Sequence, residues 1–308
     1  MKKSVLMVLL LMIIVIFSGC IKQKEEITQP ADLTQLTFLD HASDPDWSPE
    51  GSQIVFEGRE GEEIGLYLIN ADGTGLTKIG PGHNPSWSPV DNRIIYRGDD
   101  PWRSLILVDL DEGWENKMEL TSQITEQGSW SPDGEKIVYS SPDSSESSSI
   151  WVMNSDGSEK IPLTTDKDGY CMVPSFSYDG SKIVYLKGFT SYVVGAENIE
   201  TNEIWTMNAD GSNKQKIYAP GDSAQMLFQR AWNKDNKIIF MRTWYRTDNY
   251  PQIWVVNSDG SDPKVVVSGA TDAFTDPVWD NAGTKVACCK TPPPSVIGSN
   301  VWIFSFDV

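Results

Sequence analysis

The sequence predicts an all-β fold, a six-bladed β-propeller closed by an N-terminal strand that completes the last blade. Three observations lead there. An aromatic residue ending a short strand recurs six times, at Trp47, Trp87, Trp130, Phe176, Trp232 and Trp279, with spacings of 40, 43, 46, 56 and 47 residues. A period in the forties with four strand-sized pieces per unit marks propeller blades. Each marker is followed by a turn and usually by an Ile/Val-rich segment, as in "WSPDGEKIVY", and no stretch sustains a helical period. The third observation is a deficit at the C-terminus. "SIWVMNSDG", "EIWTMNADG" and "QIWVVNSDG" each run through Asp-Gly into one more strand, whereas the sixth unit stops at "NVWIFSFDV".

Within a blade, strands A to D run from the central channel outward. Strand A ends in the marker aromatic, a Pro-Asp-Gly type turn leads to B, a loop of variable length leads to C, and Asn-x-Asp-Gly turns C into D. Asn, Asp and Gly tolerate the positive φ of tight hairpins, and Pro presets φ on entry. "NSDG" and "NADG" also resemble fragments of calcium loops, but they lack the spaced carboxylates of such loops, which favours hairpins. The missing D strand of the sixth unit is supplied by "ADLTQLTF" at residues 31–38, which matches "IPLT" near Leu163 and Thr164. A ring closed by strands from both chain ends has no open seam and only short edges.

Residues 1–19 read as a signal peptide, 20–31 as a lipidated cysteine and tether, and 32–308 as the propeller. Lys2 and Lys3 precede an apolar run from Val5 to Phe17, short for a membrane span and right for a leader. The run ends in "FSGC", which resembles a prokaryotic lipobox with Phe17 where Leu is commonest and Cys20 as the lipidated residue. The alternatives are an ordinary secretory leader or an uncleaved anchor. Each places the propeller outside the cytoplasm, in the periplasm or at the cell surface according to the host. The remaining Cys171, Cys288 and Cys289 form no metal spacing and no CxxC, so they are free buried thiols or supply one bridge from Cys171.

With 43 acidic against 25 basic residues the formal charge is −18, which repels nucleic acid. Such acidity serves solubility or a salty habitat, or attracts cations or a basic partner. The repeat "WSPDG…IVY…IWVMNSDG…LT" is similar to the WD40-like propeller repeat of the TolB family over residues 32–308. That resemblance implies a cell-envelope protein that works by binding a protein partner. TolB carries an α/β domain before its propeller, whereas only residues 21–31 separate Cys20 from the first strand here. The expectation is a propeller-only lipoprotein, monomeric and held to the membrane by its lipid.

Antiparallel neighbours put the A-to-B and C-to-D turns on one face of the disc. The B-to-C and D-to-A loops share the other, and those loops hold nearly all the sequence that departs from the repeat, which is where binding is expected. Nine of the twelve tryptophans, the five markers plus Trp151, Trp205, Trp254 and Trp302, read as core. Trp102, Phe189, Tyr192, Trp244, Tyr245 and Tyr250, with neighbouring Arg103, Arg242 and Arg246, lie in or beside the variable loops. These residue types make interface hot spots or pack loops onto blades. Three residues before each marker stand Asp44, Asn84, Gln127, Val173, Gln229 and Asp276, which by repeat equivalence ring the channel mouth, with His41 and His83 close by. They read as solvated lining. A hard cation such as calcium between Asp44 and Asp276 of adjacent blades is the alternative, and no other cofactor is expected.

Nothing in the sequence assembles a catalytic set. Two histidines are too few for a three-histidine metal centre, and no Gly-x-Ser-x-Gly elbow is present. The protein therefore reads as a binding scaffold without enzymatic activity. The alternatives are a hydrolase or lyase, or a cation-dependent carbohydrate-binding module, using the channel mouth.

Overall fold

The computed structural model describes residues 29–99, 103–125, 127–142, 147–188, 202–221, 224–228, 231–244, 250–292 and 298–306. The short strand β1 (Thr34–Gln35) precedes the blades. Blade one is β2 (His41–Trp47), β3 (Gln53–Glu60), β4 (Glu63–Asn70) and β5 (Thr77–Gly80). Blade two is β6 (His83–Trp87), β7 (Arg93–Arg97), β8 (Leu105–Asp109) and β9 (Lys117–Glu119). Blade three is β10 (Gln127–Trp130), β11 (Lys136–Pro142), β12 (Ser148–Asn154) and β13 (Ile161–Pro162). Blade four is β14 (Cys171–Phe176), β15 (Lys182–Lys187), β16 (Glu203–Asn208) and β17 (Gln215–Tyr218). Blade five is β18 (Ala224–Leu227), β19 (Lys237–Trp244), β20 (Gln252–Asn257) and β21 (Lys264–Val267). Blade six is β22 (Ala273–Trp279), β23 (Lys285–Thr291) and β24 (Asn300–Ser305), and β1 completes it.

The closure has the expected register, antiparallel, with Thr34 opposite Ile303 and Gln35 opposite Trp302. The regular pairing is short, and side chains extend it. Asn300 Oδ1 accepts from Thr37 Oγ1 and from the Leu39 N–H, both at 3.0 Å, and Thr37 Oγ1 accepts from the Val301 N–H at 2.9 Å. Asp32 Oδ2 takes the Ser305 N–H at 2.8 Å. These bonds tie the two ends of the chain together over more residues than the strand ladder does.

The C-to-D turns repeat one hydrogen-bond pattern. Asp72, Asp156, Asp210 and Asp259 each accept, through Oδ1, the N–H and the hydroxyl of the Thr or Ser two residues on. Those bonds, the hydroxyl first, hold each carboxyl below the usual carboxylate range. Local turn chemistry accounts for all four carboxylates.

The core lies between blades and not in one central mass. Six apolar clusters form, each from two neighbouring blades; Trp47, Ile54 and Phe56 of blade one, for example, pack with Val278, Ala287 and Val301 of blade six. The five marker tryptophans are buried. Trp151, Trp205, Trp254 and Trp302 are only half-buried, which corrects their reading as core: they stand on strand C, nearer the rim. Blade five departs in another way. Trp232 lies beyond β18 and pairs with Ile238 through an isolated bridge, so strand A there does not run unbroken to its marker. Cys171, Cys288 and Cys289 are free and buried.

Candidate functional site at the channel mouth

Four of the residues three before a marker share one backbone conformation. Asp44, Asn84, Val173 and Asp276 have φ of 53°, 47°, 53° and 50°. At each, strand A gains a residue against strand B, as where Ser43 pairs with Glu57 but Asp46 with Val55. This is a β-bulge with a left-handed residue, a device that re-aims side chains near sites. Asp and Asn enter that region most readily. Val173 does so at a cost that burial in the blade four–five cluster offsets. Gln127 sits in an unbroken register opposite Ser140, so its strand carries no bulge.

The bulges bring Asp44 and Asp276 together across the seam of the ring, where the Asp276 carboxylate accepts the Asp44 N–H and Thr275 Oγ1 donates to its Oδ2 at 3.0 Å. Burial, followed by repulsion from Asp276 and Glu57, pushes Asp44 well above the usual carboxylate range. Burial likewise raises Asp276, against the hydrogen bonds from Thr275 and Asp44. Next to this pair His83 bridges two carboxylates: Nδ1 lies 3.1 Å from Glu57 Oε1 and Nε2 lies 2.7 Å from Asp99 Oδ1. Both contacts are hydrogen bonds when both ring nitrogens carry protons. His41 and Arg97 add positive charge felt by Asp276 and Asp44. Titratable groups of blades six, one and two thus converge on one sector of the mouth.

Deeper in the channel Asp46 is structural. Its carboxylate accepts from the N–H groups of Trp47 and Trp87 and from Ser86 Oγ, which joins blades one and two. Among the described residues no group of three or more His, Cys, Asp or Glu side chains is arranged to hold a metal ion.

Of the predicted loop aromatics, Trp244 and Arg242 lie within their own blade, the guanidinium 5.0 Å from the Trp244 ring and 4.6 Å from that of Trp254. Tyr250 is half-buried, and Arg103 is exposed with a φ of 49°. Trp102, Phe189, Tyr192, Gln229, Tyr245, Arg246 and Cys20 lie outside the described residues.

Two features escaped the sequence. The Glu57–His83–Asp99 chain joins strand B of blade one to strand A and the B-to-C loop of blade two; the sequence singled out His83, but no spacing announced Glu57 and Asp99 as its partners. On the opposite face, a cavity of about 260 Å³ at the A-to-B turns is lined by Trp130, Phe176, Tyr178 and Trp232. Tyr178, 51% exposed, stands where the first three units carry Pro, a departure visible in "FSYDG".

These features define a closed six-bladed propeller with a charged mouth. No family model matches the chain, and no curated protein is similar to it in sequence. Solved propellers are similar in structure. A putative TolB from Agrobacterium tumefaciens has a TM-score of 0.60 at 16% identity, over 87% of this chain and 91% of that one. A gluconolactonase from Xanthomonas campestris gives 0.59 at 14%, over 89% of each chain. An oligogalacturonate lyase in complex with manganese gives 0.55 at 13%, over 92% and 96%. At such identity these likenesses establish the TolB-like propeller fold alone.

Proposed function

We propose that the protein is an extracytoplasmic, lipid-anchored propeller scaffold that captures a protein partner at its channel mouth and surrounding loops. The observation that carries this reading is the convergence of Asp44, Asp276, Glu57, His83 and Asp99 on one sector of an otherwise regular ring. A predominantly acidic patch on a chain of charge −18 suits a basic partner surface, which it would steer on approach. The leader ending at Cys20 supports the anchor.

The test is a crosslinking pull-down from native membranes with the lipidated protein as bait. It compares wild type with His83→Ala/Asp99→Asn and with Trp102, Trp244 and Tyr245 changed to alanine. A protein held by wild type and lost by either folded variant is the expected result. No specific protein from a folded bait would sink the scaffold reading.

A second reading has one observation in its favour. Burial raises the carboxyls of the Asp44–Asp276 pair, the direction of shift that makes a carboxyl a better general acid near neutral pH. The similar folds include a lyase and a gluconolactonase. Turnover of a lactone or uronate oligomer that disappears in Asp276→Asn would favour an enzyme.

A further inference from the structure

Blades three to six place a tryptophan at the same point of strand C: Trp151, Trp205, Trp254 and Trp302, opposite Tyr139, Tyr185, Phe240 and Cys288 of strand B. Two residues further along strand B, blades four, five and six carry Lys187, Arg242 and Lys290. Each lays its cation over that ring, at 4.6, 4.6 and 4.7 Å from the centroid. The residue paired with the cation is polar and larger than serine: Glu203, Gln252 and Asn300. In blade three both positions are serine, Ser141 opposite Ser149. Among the described residues no cation lies over Trp151.

Among the described residues the space is not filled by another side chain. A cavity of about 480 Å³ opens there between blades two and three, lined by Trp151, Tyr139, Ser141, Glu119, Gln123 and Lys160 among others. Its acceptors suit a cation. Glu119 is exposed and engages only Ser104 Oγ through Oε1, at 3.2 Å, among the described residues. Tyr139 holds its phenol neutral, its pKa pushed up to about 12 by burial. Lys160, also in the lining, donates its Nζ to the Gly157 carbonyl. The Ser141 hydroxyl is committed to the Ile124 carbonyl at 2.9 Å, which fixes the loop that roofs the cavity.

We propose that this cavity is a binding site for an organic cation, an ammonium or guanidinium head group seated over Trp151 with Glu119 as its counter-ion. The ligand takes the place that Lys187, Arg242 and Lys290 fill from within in the next three blades. A cation over an indole face is the strongest of the aromatic pairings, and exclusion from water strengthens it. The proposal is independent of what the channel mouth binds.

The experiment follows the Trp151 indole N–H resonance, assigned through Trp151→Phe, during titration with butylguanidinium, butylammonium and the neutral butylurea. The expected result is a saturable shift with both cations, Kd on the order of 1–10 mM, and none with butylurea. Ser141→Lys installs the internal cation of the other blades and should weaken butylguanidinium at least about tenfold, while loss of the Ile124 hydrogen bond lowers Tm by no more than a few degrees. Glu119→Gln, at an exposed strand position, should weaken it several-fold and serves if the lysine variant does not fold. A blocked Gly-Arg-Gly peptide separates the sources: tighter binding than butylguanidinium assigns the slot to a protein side chain, equal binding to a small cation. The proposal fails if folded wild type shows no saturable shift, if butylurea binds as well, or if both variants bind like wild type.

Discussion

Asp44 and Asn84 occupy the same left-handed position in adjacent blades, with φ of 53° and 47°. The chain thus shows that asparagine fits there, which makes Asp44→Asn a substitution of charge with little change of shape. Burial raises both Asp44 and Asp276, so the folded chain binds protons more tightly than the unfolded one. The stability from this pair is fully present below the ordinary carboxylate pKa of about 4 and is lost as pH rises through the raised folded values. Glu57 adds to the repulsion on Asp44, while Arg97 opposes it and His41 opposes the rise of Asp276. Asp44→Asn should therefore melt higher than wild type at pH 8, by about 2 °C or more for a chain of this size, with the gap closing toward pH 4. A lower Tm at pH 8 would mean that the Ser43 hydrogen bond and the attraction of Arg97 outweigh the repulsion. Two glycines offer a sterically cleaner comparison. Gly51 (φ 67°) has open space where a Cβ would go, whereas at Gly260 (φ 85°) a Cβ would run into the Ile217 carbonyl on β17 of the neighbouring blade four. Gly51→Ala should cost about 1–2 kcal/mol for the left-handed backbone alone, and Gly260→Ala clearly more. Urea unfolding of both variants checks this, and equal costs would refute the steric part.

The strands and their turns were legible because each carries its own chemistry: Pro-Asp-Gly after the marker, Asn-x-Asp-Gly between C and D, and an orphan "LTQLT" at the N-terminus. The bulges were not. Asp and Asn at the marker-minus-three position hint at positive φ, but Val173 in the same conformation and Gln127 in a regular strand hide the pattern. The Asp44–Asp276 meeting followed from blade adjacency, whereas His83 between Glu57 and Asp99 depends on side-chain reach that no spacing encodes. The cations over strand C were readable in "IVYLK", "IIFMR" and "ACCK" against "IVYSS" once the pairing register was known. Register is also what makes Asn300 matter, since it begins β24 and receives two bonds from the N-terminal segment. Asn300→Ala strips the acceptor from the Leu39 N–H and should cost about 1–3 kcal/mol. Asn300→Asp, which keeps an acceptor, should cost less. Faster amide exchange confined at first to Leu36 and Leu39 is the expected readout, and unchanged exchange there would remove Asn300 from the closure.

At the scale of the ring, stability is shared among six wedges of similar make, and five of them join blades that follow each other in sequence. The sixth, between blades six and one, also joins the two ends of the chain. The N-terminal segment works on both sides of blade six: Leu36 belongs to the six–one cluster and Leu33 packs against the five–six cluster. Its removal therefore weakens two wedges and exposes the outer edge of β24, while leaving the other four untouched. Deletion of Ala31 to Phe38 should convert one cooperative transition into two, with blades six and one opening before the rest. Calorimetry reads the number of transitions, and hydrogen exchange reads where the first begins. A circular permutant that joins Phe306 to residue 31 through a short Gly-Ser linker, and opens the chain in another D-to-A loop, keeps the strand while relocating the break. Its first opening should move to the new termini. If the permutant still opens first at blades six and one, the weakness lies in the charged Asp44–Asp276 contact and not in the chain break, and closure by the strand would be secondary to that repulsion.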